Sequence, residues 1–135
     1  MSQQITTISF FRFSSLSNKI WGFKMMQFSN SELIATSGLS FYKLMGSGKG
    51  KGFNPFPDWS VYSLLQVWES EDDAHVFFNS SYLMKQYAKH TTELYTLYMK
   101  NIASSGTWSG KMPFHKGIDL DPTLPIAVIT RATIK

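Results

Sequence analysis

The 135-residue sequence contains no cysteine. That removes disulfide stapling, thiolate nucleophiles, Cys-ligated zinc or iron–sulfur clusters and thiolate-bound haem. Charge is scarce as well. Only 16% of residues are Asp, Glu, Lys or Arg, against about a quarter in an ordinary globular domain. A disordered tail would be rich in charge and poor in aromatics, whereas this chain is 43% apolar and 16% aromatic. No stretch approaches the ~20 apolar residues of a membrane span. The start, MSQQITTISFFRF, lacks the basic region, apolar run and small-residue cleavage site of a signal peptide. The expectation is a cytoplasmic protein of one domain, or half of a larger one. Thirteen basic against nine acidic residues leave +4, which suits anionic ligands, acidic lipid or RNA without choosing among them.

What is present reads as alternating strands and helices. Residues 5–13, ITTISFFRF, are β-branched and aromatic, as a strand requires. In the next segment Leu16, Ile20, Phe23 and Met26 or Gln27 recur at helical spacing, with Ser14, Ser15 or Ser17 available as a cap. A short further turn of helix is expected over 29–36, ended by Gly38. LSFYKLMGSG (39–48) reads as a second strand running into a glycine loop, and VYSLLQVW (61–68) as a third. Ser70-Glu71-Asp72-Asp73 has the form of a capping box opening a helix over 71–90, broken near 79–81. ELYTLYMKNIA follows as a fourth strand and PIAVITRATIK, 125–135, as a fifth.

The order strand, helix, strand, strand, helix, strand is the ferredoxin-like α+β plan. The fifth strand lies outside it. Laid on the first strand at an offset of 121, Ile126 falls on Ile5 and Ile129 on Ile8. The expected organisation is therefore a ferredoxin-like domain over 1–124 and the first strand of a second repeat over 125–135. An ordinary extra edge strand explains the same residues.

Several motifs fail on their details. The glycines Gly46, Gly48, Gly50 and Gly52, with Lys49 and Lys51, invite a phosphate-loop reading. A Walker loop, however, needs Gly at position 45 and Ser or Thr at 52, where Met45 and Gly52 stand. A flexible flap over a pocket is the better expectation. Lys51-Gly52-Phe53 begins like an RNA-binding RNP1 segment, but Asn54-Pro55 interrupts the strand it needs; RNA stays a minor alternative and no nucleic-acid partner is expected. His75, His90 and His115 have no metal-ligand spacing and read as surface or capping residues, so no metal site is expected.

Strand alternation gives the candidate site. Val61, Ser63, Leu65 and Val67 share one face and suit packing against helices, whereas Tyr62, Leu64, Gln66 and Trp68 resemble a cavity wall. Phe10 and Arg12, Phe41 and Lys43, Thr96 and Tyr98, and Ile129 and Arg131 pair by the same rule. A ferredoxin-like sheet carries its helices on one face, and a second such sheet covering the other makes an α/β barrel. On that inner face Arg12, Lys43 and Arg131 need anionic partners, such as haem propionates or a partner carboxylate. Snorkelling edge-strand cations are the plain alternative.

The blocks FFRF…NKIWGFKMM, FYKLMGSGKGKGFNPFPDWSVYSLLQVW, GTWSGKMPF and PIAVITRATIK resemble the spheroidene monooxygenase family, in its N-terminal half. The resemblance implies insertion of a keto group into an acyclic carotenoid beside its terminal oxygen function, with dioxygen as oxidant and a reduced ferredoxin-type donor. It implies haem as cofactor, with the iron ligand outside this chain. Phe10, Phe41, Tyr62, Gln66, Trp68 and Tyr98 would then line the substrate pocket, and Arg12, Lys43 and Arg131 would hold the cofactor. A homodimer or a missing second half would complete the barrel, with contact at the membrane surface. A non-catalytic dimerising module is the competing expectation.

Overall fold

A computed structural model describes residues 3–48, 57–104, 106–107, 111–115 and 118–129, with backbone alone at 47–48 and 57–59. The elements are β1 (Ile5–Arg12), α1 (Leu16–Ile34), β2 (Leu39–Gly48), β3 (Pro57–Trp68), α2 (Glu71–Ser80), α3 (Tyr82–His90) and β4 (Glu93–Met99). The strands form one sheet in the order β2-β3-β1-β4, with every neighbouring pair antiparallel. This is the ferredoxin-like arrangement, with α1 as one crossover and α2–α3 as the other.

The helices all pack on one side of the sheet. There Phe11 stacks on Tyr87 at 4.1 Å between ring centroids, and Trp68 meets Phe77 at 5.2 Å. Leu33, Leu64, Leu83 and Met84 fill the space between these rings. Burial of such side chains contributes about 1.5–3 kcal/mol each, which makes this layer the main source of stability.

α1 is a single helix where a helix and a separate turn were expected, and its orientation differs too. Ser15 caps it, accepting from the Asn18 N–H at 3.2 Å. The side toward the sheet is Gly22, Ser29 and Leu33, with Trp21, Met25 and Met26 partly buried. The stripe Leu16, Ile20 and Phe23 faces outward. The cause is space: a Cβ at Gly22 would lie 2.7 Å from the Phe13 ring, and the Ser29 hydroxyl sits 3.0 Å from the Tyr87 hydroxyl. Large rings on neighbouring elements select small residues on the helix.

The expected break in the second helical stretch is at Ser81, whose extended backbone ends α2 and whose hydroxyl caps α3. Glu32 of α1 also accepts the Leu83 N–H at 3.2 Å, a carboxylate at a helix N-terminus that locks two helices together. Ser70 caps α2 as the sequence predicts.

One expectation is corrected. β2 continues through the glycines: Gly46 pairs with Tyr62 and Gly48 with Pro57, with a register shift after Gly46. Gly46 and Gly48 are thus strand residues and no loop, because β3 begins four residues earlier than expected, at Pro57, and zips to them. Gly50 and Gly52 lie outside the described residues. Residues 125–129 of the expected fifth strand are not part of the sheet, and Ile126, Val128 and Ile129 are exposed. The remainder of that segment, Arg131 included, lies outside the described residues.

Candidate functional site on the open face of the sheet

Cross-strand register decides which side chains face the helices. Tyr62, Leu64, Gln66 and Trp68 lie opposite Phe11, Ser9, Thr7 and Ile5, all on the helix side. The expected cavity wall is therefore core. Trp68 is fully buried and its indole N–H donates to the Thr7 hydroxyl at 2.9 Å, while Tyr62 packs edge-on to Phe13. Gln66 is fully buried with neither side-chain amide atom hydrogen-bonded. Tyr98 also points to the helices, against His75 and Phe78. Alternation separated the two sets correctly and oriented them wrongly. Leu65 and Val67, on the opposite face of β3, are equally buried, so no contrast of polarity marks the helix side.

The other face has no helix. By register it carries Phe10 and Arg12 of β1, Phe41 and Lys43 of β2, Leu65 and Val67 of β3, and Tyr95 and Leu97 of β4. Phe10, Arg12, Phe41 and Lys43 thus lie where the sequence puts them. The face is closed at one end and open at the other. At the closed end Thr6, Ile8, Leu65 and Val67 are buried. There Gln4 holds the segment after β4, its amide donating to the Pro113 carbonyl and accepting from the His115 N–H, both at 2.8 Å. At the open end Phe10 is 38% and Tyr95 60% exposed.

Arg12 and Lys43 do not converge. Arg12 faces Glu93 at 3.3 Å, with both side chains more than half exposed, so the pair contributes at most about 1 kcal/mol. Lys43 lines a cleft of about 590 Å³ between α1 and the outer edge of β2, shared with Asn30, Tyr42 and Lys111. Arg12 pairs with Val61 and Lys43 with Leu65, which separates them by two strands and about 13 Å along β3. One pair of haem propionates would not reach both.

Two of the three histidines are engaged on the helix side. His90 stacks on Trp21 at 3.9 Å with its Nδ1 2.8 Å from the Gln86 carbonyl, and His75 pairs with Glu71 on the helix side. No group of three or more His, Asp or Glu could hold a metal among the described residues. Among the described residues Arg12 and Lys43 lie too far apart to share one haem's propionates, and His115 is exposed, with its backbone N–H held by Gln4.

The perturbed ionisations likewise lie off the open face. Burial pushes the Tyr87 hydroxyl up to about 12, partly opposed by its Ser29 hydrogen bond. Burial and the nearby Glu71 carboxylate raise Tyr98, and hydrogen bonds from Thr123 lower the exposed Asp121. The site is an apolar surface with peripheral charges, suited to holding an extended hydrocarbon more than to acid–base work. Sequence reasoning missed Tyr95 and Leu97, because β4 was read in the wrong phase. Matching Arg12 to Glu93 was the available signal.

No protein-family model matches this chain. A spheroidene monooxygenase of Cereibacter sphaeroides is 34% identical over 132 residues, covering 98% of this chain and 41% of that protein. One of Rhodobacter capsulatus is 32% identical, covering 97% and 55%. The chain resembles the spheroidene monooxygenases in their N-terminal half. It spans about half the length of these curated relatives. Among solved structures, a putative antibiotic biosynthesis monooxygenase from Nitrosomonas europaea superposes with a TM-score of 0.58 at 13% identity, covering 78% of this chain and 97% of that one. A cofactor-independent oxygenase from Streptomyces nogalater gives 0.55 at 8%, covering 76% and 97%. Identities this low establish a shared ferredoxin-like fold and nothing finer.

Proposed function

We propose that this chain is the N-terminal part of a monooxygenase that acts on an acyclic carotenoid, with the polyene lying along the open face of the sheet. The observation that carries the reading is the match to spheroidene monooxygenases over almost the whole chain. The open face supports it: Phe10, Phe41, Leu97 and Tyr95 offer an apolar bed, and Arg12 and Glu93 sit at its rim. A second ferredoxin-like sheet, from another copy or from the rest of the monooxygenase, closes the barrel and removes the polyene from water.

In this reading one atom of dioxygen enters a C–H bond of the carotenoid and the other leaves as water. Two electrons from a reduced ferredoxin-type donor and two protons complete the balance. A second round at the same carbon gives a geminal diol that loses water to the ketone. This chain's residues hold the hydrocarbon and exclude solvent. If haem supplies the oxygen chemistry, as the resemblance implies, its iron ligand comes from outside this chain. A cytoplasmic location with contact at the membrane surface accords with a substrate of this kind.

The test is retention of an acyclic hydroxycarotenoid by the purified chain, read by polyene absorbance after gel filtration in detergent. Substituting Phe10→Asp together with Tyr95→Asp is expected to cut retention by about tenfold or more. Unchanged retention removes the open face as the polyene site. A homodimer that retains no polyene would instead support the non-catalytic barrel module.

A further inference from the structure

The open face of the sheet is bounded differently on its different sides. Along the strands it ends where Leu65 and Val67 are buried and Gln4 holds the segment after β4. At the opposite end stands the exposed Arg12–Glu93 pair, which a hydrocarbon would strip of water without offering a hydrogen bond in return. At the outer edge of β2 the apolar surface continues. Phe41 and Lys43 belong to the open face by register, and both also line the cleft of about 590 Å³ between α1 and β2. Bed and cleft are one surface, folded over the edge of the sheet.

The cleft is apolar in effect. Met26, Leu33 and Ile34 of α1 and Leu39 and Leu44 of β2 line it. Its neutral polar side chains spend their hydrogen bonds inside the protein. The Tyr42 hydroxyl donates to Asn30 Oδ1 at 2.8 Å, and the Asn30 amide donates to the Gln27 carbonyl at 3.0 Å. The Ser40 hydroxyl donates to the Val67 carbonyl at 3.0 Å. No carboxylate lines the cleft among the described residues, and its lysines, Lys43 and Lys111, bring aliphatic stems as well as charge. Length matters too. From the Arg12–Val61 pair to the Phe41–Val67 pair is six residues along β3, and β4 to β2 is three strand spacings, a diagonal of about 25 Å. An extended carotenoid is longer than that, so one of its ends lies beyond the bed.

We propose that the cleft between α1 and β2 seats the oxygen-free end of the polyene, so that the oxygenated end points to the Arg12–Glu93 rim. This rests on the polyene reading above and adds the direction in which the substrate lies. The body of the chain stays on the open face; its hydrocarbon end crosses the edge of β2 past Phe41 and enters the cleft, where it leaves water and displaces no hydrogen bond. The cleft thereby measures chain length: a polyene too short to reach it gains nothing from Ile34 or Leu44.

The test is retention of two probes by the 135-residue chain, read by polyene absorbance. One is a full-length acyclic hydroxycarotenoid, the other a polyene alcohol of half its length with the same hydroxyl end. Ile34 is 74% exposed, so Ile34→Asp leaves the fold intact, which circular dichroism verifies. It should lower retention of the full-length probe by about threefold to tenfold and leave the short one unchanged. Ile34→Leu should keep both. Lys111→Gln should alter either by less than about twofold, since it keeps much of the stem. Equal effects of Ile34→Asp on the two probes, or no effect on the full-length one, overturn the proposal. So does a loss in Lys111→Gln as large as that in Ile34→Asp, which would assign the cleft to an anion. A wild-type chain that retains neither probe contradicts the polyene reading itself, and this proposal with it; indifference of the full-length probe to Ile34→Asp contradicts the cleft alone.

Discussion

The two faces of the sheet are built on different physics. Toward the helices, Phe11, Phe13, Trp68, Phe77 and Tyr87 interlock with small residues on α1, and the Trp68–Thr7 and Ser29–Tyr87 hydrogen bonds satisfy the polar tips. Away from them, Phe10, Phe41 and Tyr95 are only partly covered, and charge sits at the rim. The first face holds the fold together; the second is left for something else to complete. Aromatic content therefore does not mark a binding surface in this molecule, because rings such as Phe11, Trp68 and Tyr87 are structural.

The contrast can be broken in several ways, beginning with the largest effect. Trp68→Ala should destabilise the chain by about 3–5 kcal/mol and can unfold it, whereas Phe10→Ala should cost under about 1 kcal/mol. Urea denaturation followed by circular dichroism measures both. Equal costs would erase the distinction between the faces.

Tyr87 supplies a pH signature of the helix side. Its proton is held more tightly folded than unfolded, with the folded value at about 12 against the ordinary 10. Stability is thus complete below pH ~10 and falls between ~10 and ~12, where the unfolded chain has lost the proton and the folded one has not. About 2–3 kcal/mol goes over that window. Tyr87→Phe should flatten the decline by one proton equivalent in urea midpoints measured against pH.

Gln66 runs the other way. Its amide is buried without a hydrogen bond, so Gln66→Met should stabilise the protein by about 1–2 kcal/mol and raise its melting temperature. A loss of stability would show that the amide has a partner in solution. The smallest effect belongs to the rim: Arg12→Ala should shift stability by less than about 0.5 kcal/mol, since Arg12 and Glu93 are both exposed.

Much of this fold was legible in the sequence. The β-branched run 5–12, the serines before α1 and α2 and the break at Ser81 each state a local preference that packing leaves intact. The ferredoxin-like order followed from them. What could not be read was orientation. In α1 the apolar residues surround the helix, so periodicity gave no unique inner side, and Gly22 and Ser29 face inward because Phe13 and Tyr87 occupy the space. In β3 Leu65 and Val67 on the other face are as buried as the helix-side set, so burial gave no contrast, and Tyr62, Gln66 and Trp68 look like cavity residues when they are core. The reach of β2 through Gly46 and Gly48 depends on a distant partner, Pro57–Tyr62, and no local rule supplies that. Of the expected site, Phe10, Arg12, Phe41 and Lys43 are on the open face, and Tyr62, Gln66, Trp68 and Tyr98 are not.

The central claim is that the open sheet face, and not the helical side, receives the polyene. Carotenoid retention by three forms of the chain tests it most directly: wild type, Phe10→Asp with Tyr95→Asp, and the solvent-side control Val76→Asp on α2. The account requires the absorbance to stay with wild type and with Val76→Asp, and to drop by about tenfold or more in the double substitution. Equal retention by all three, or a loss confined to Val76→Asp, would contradict it.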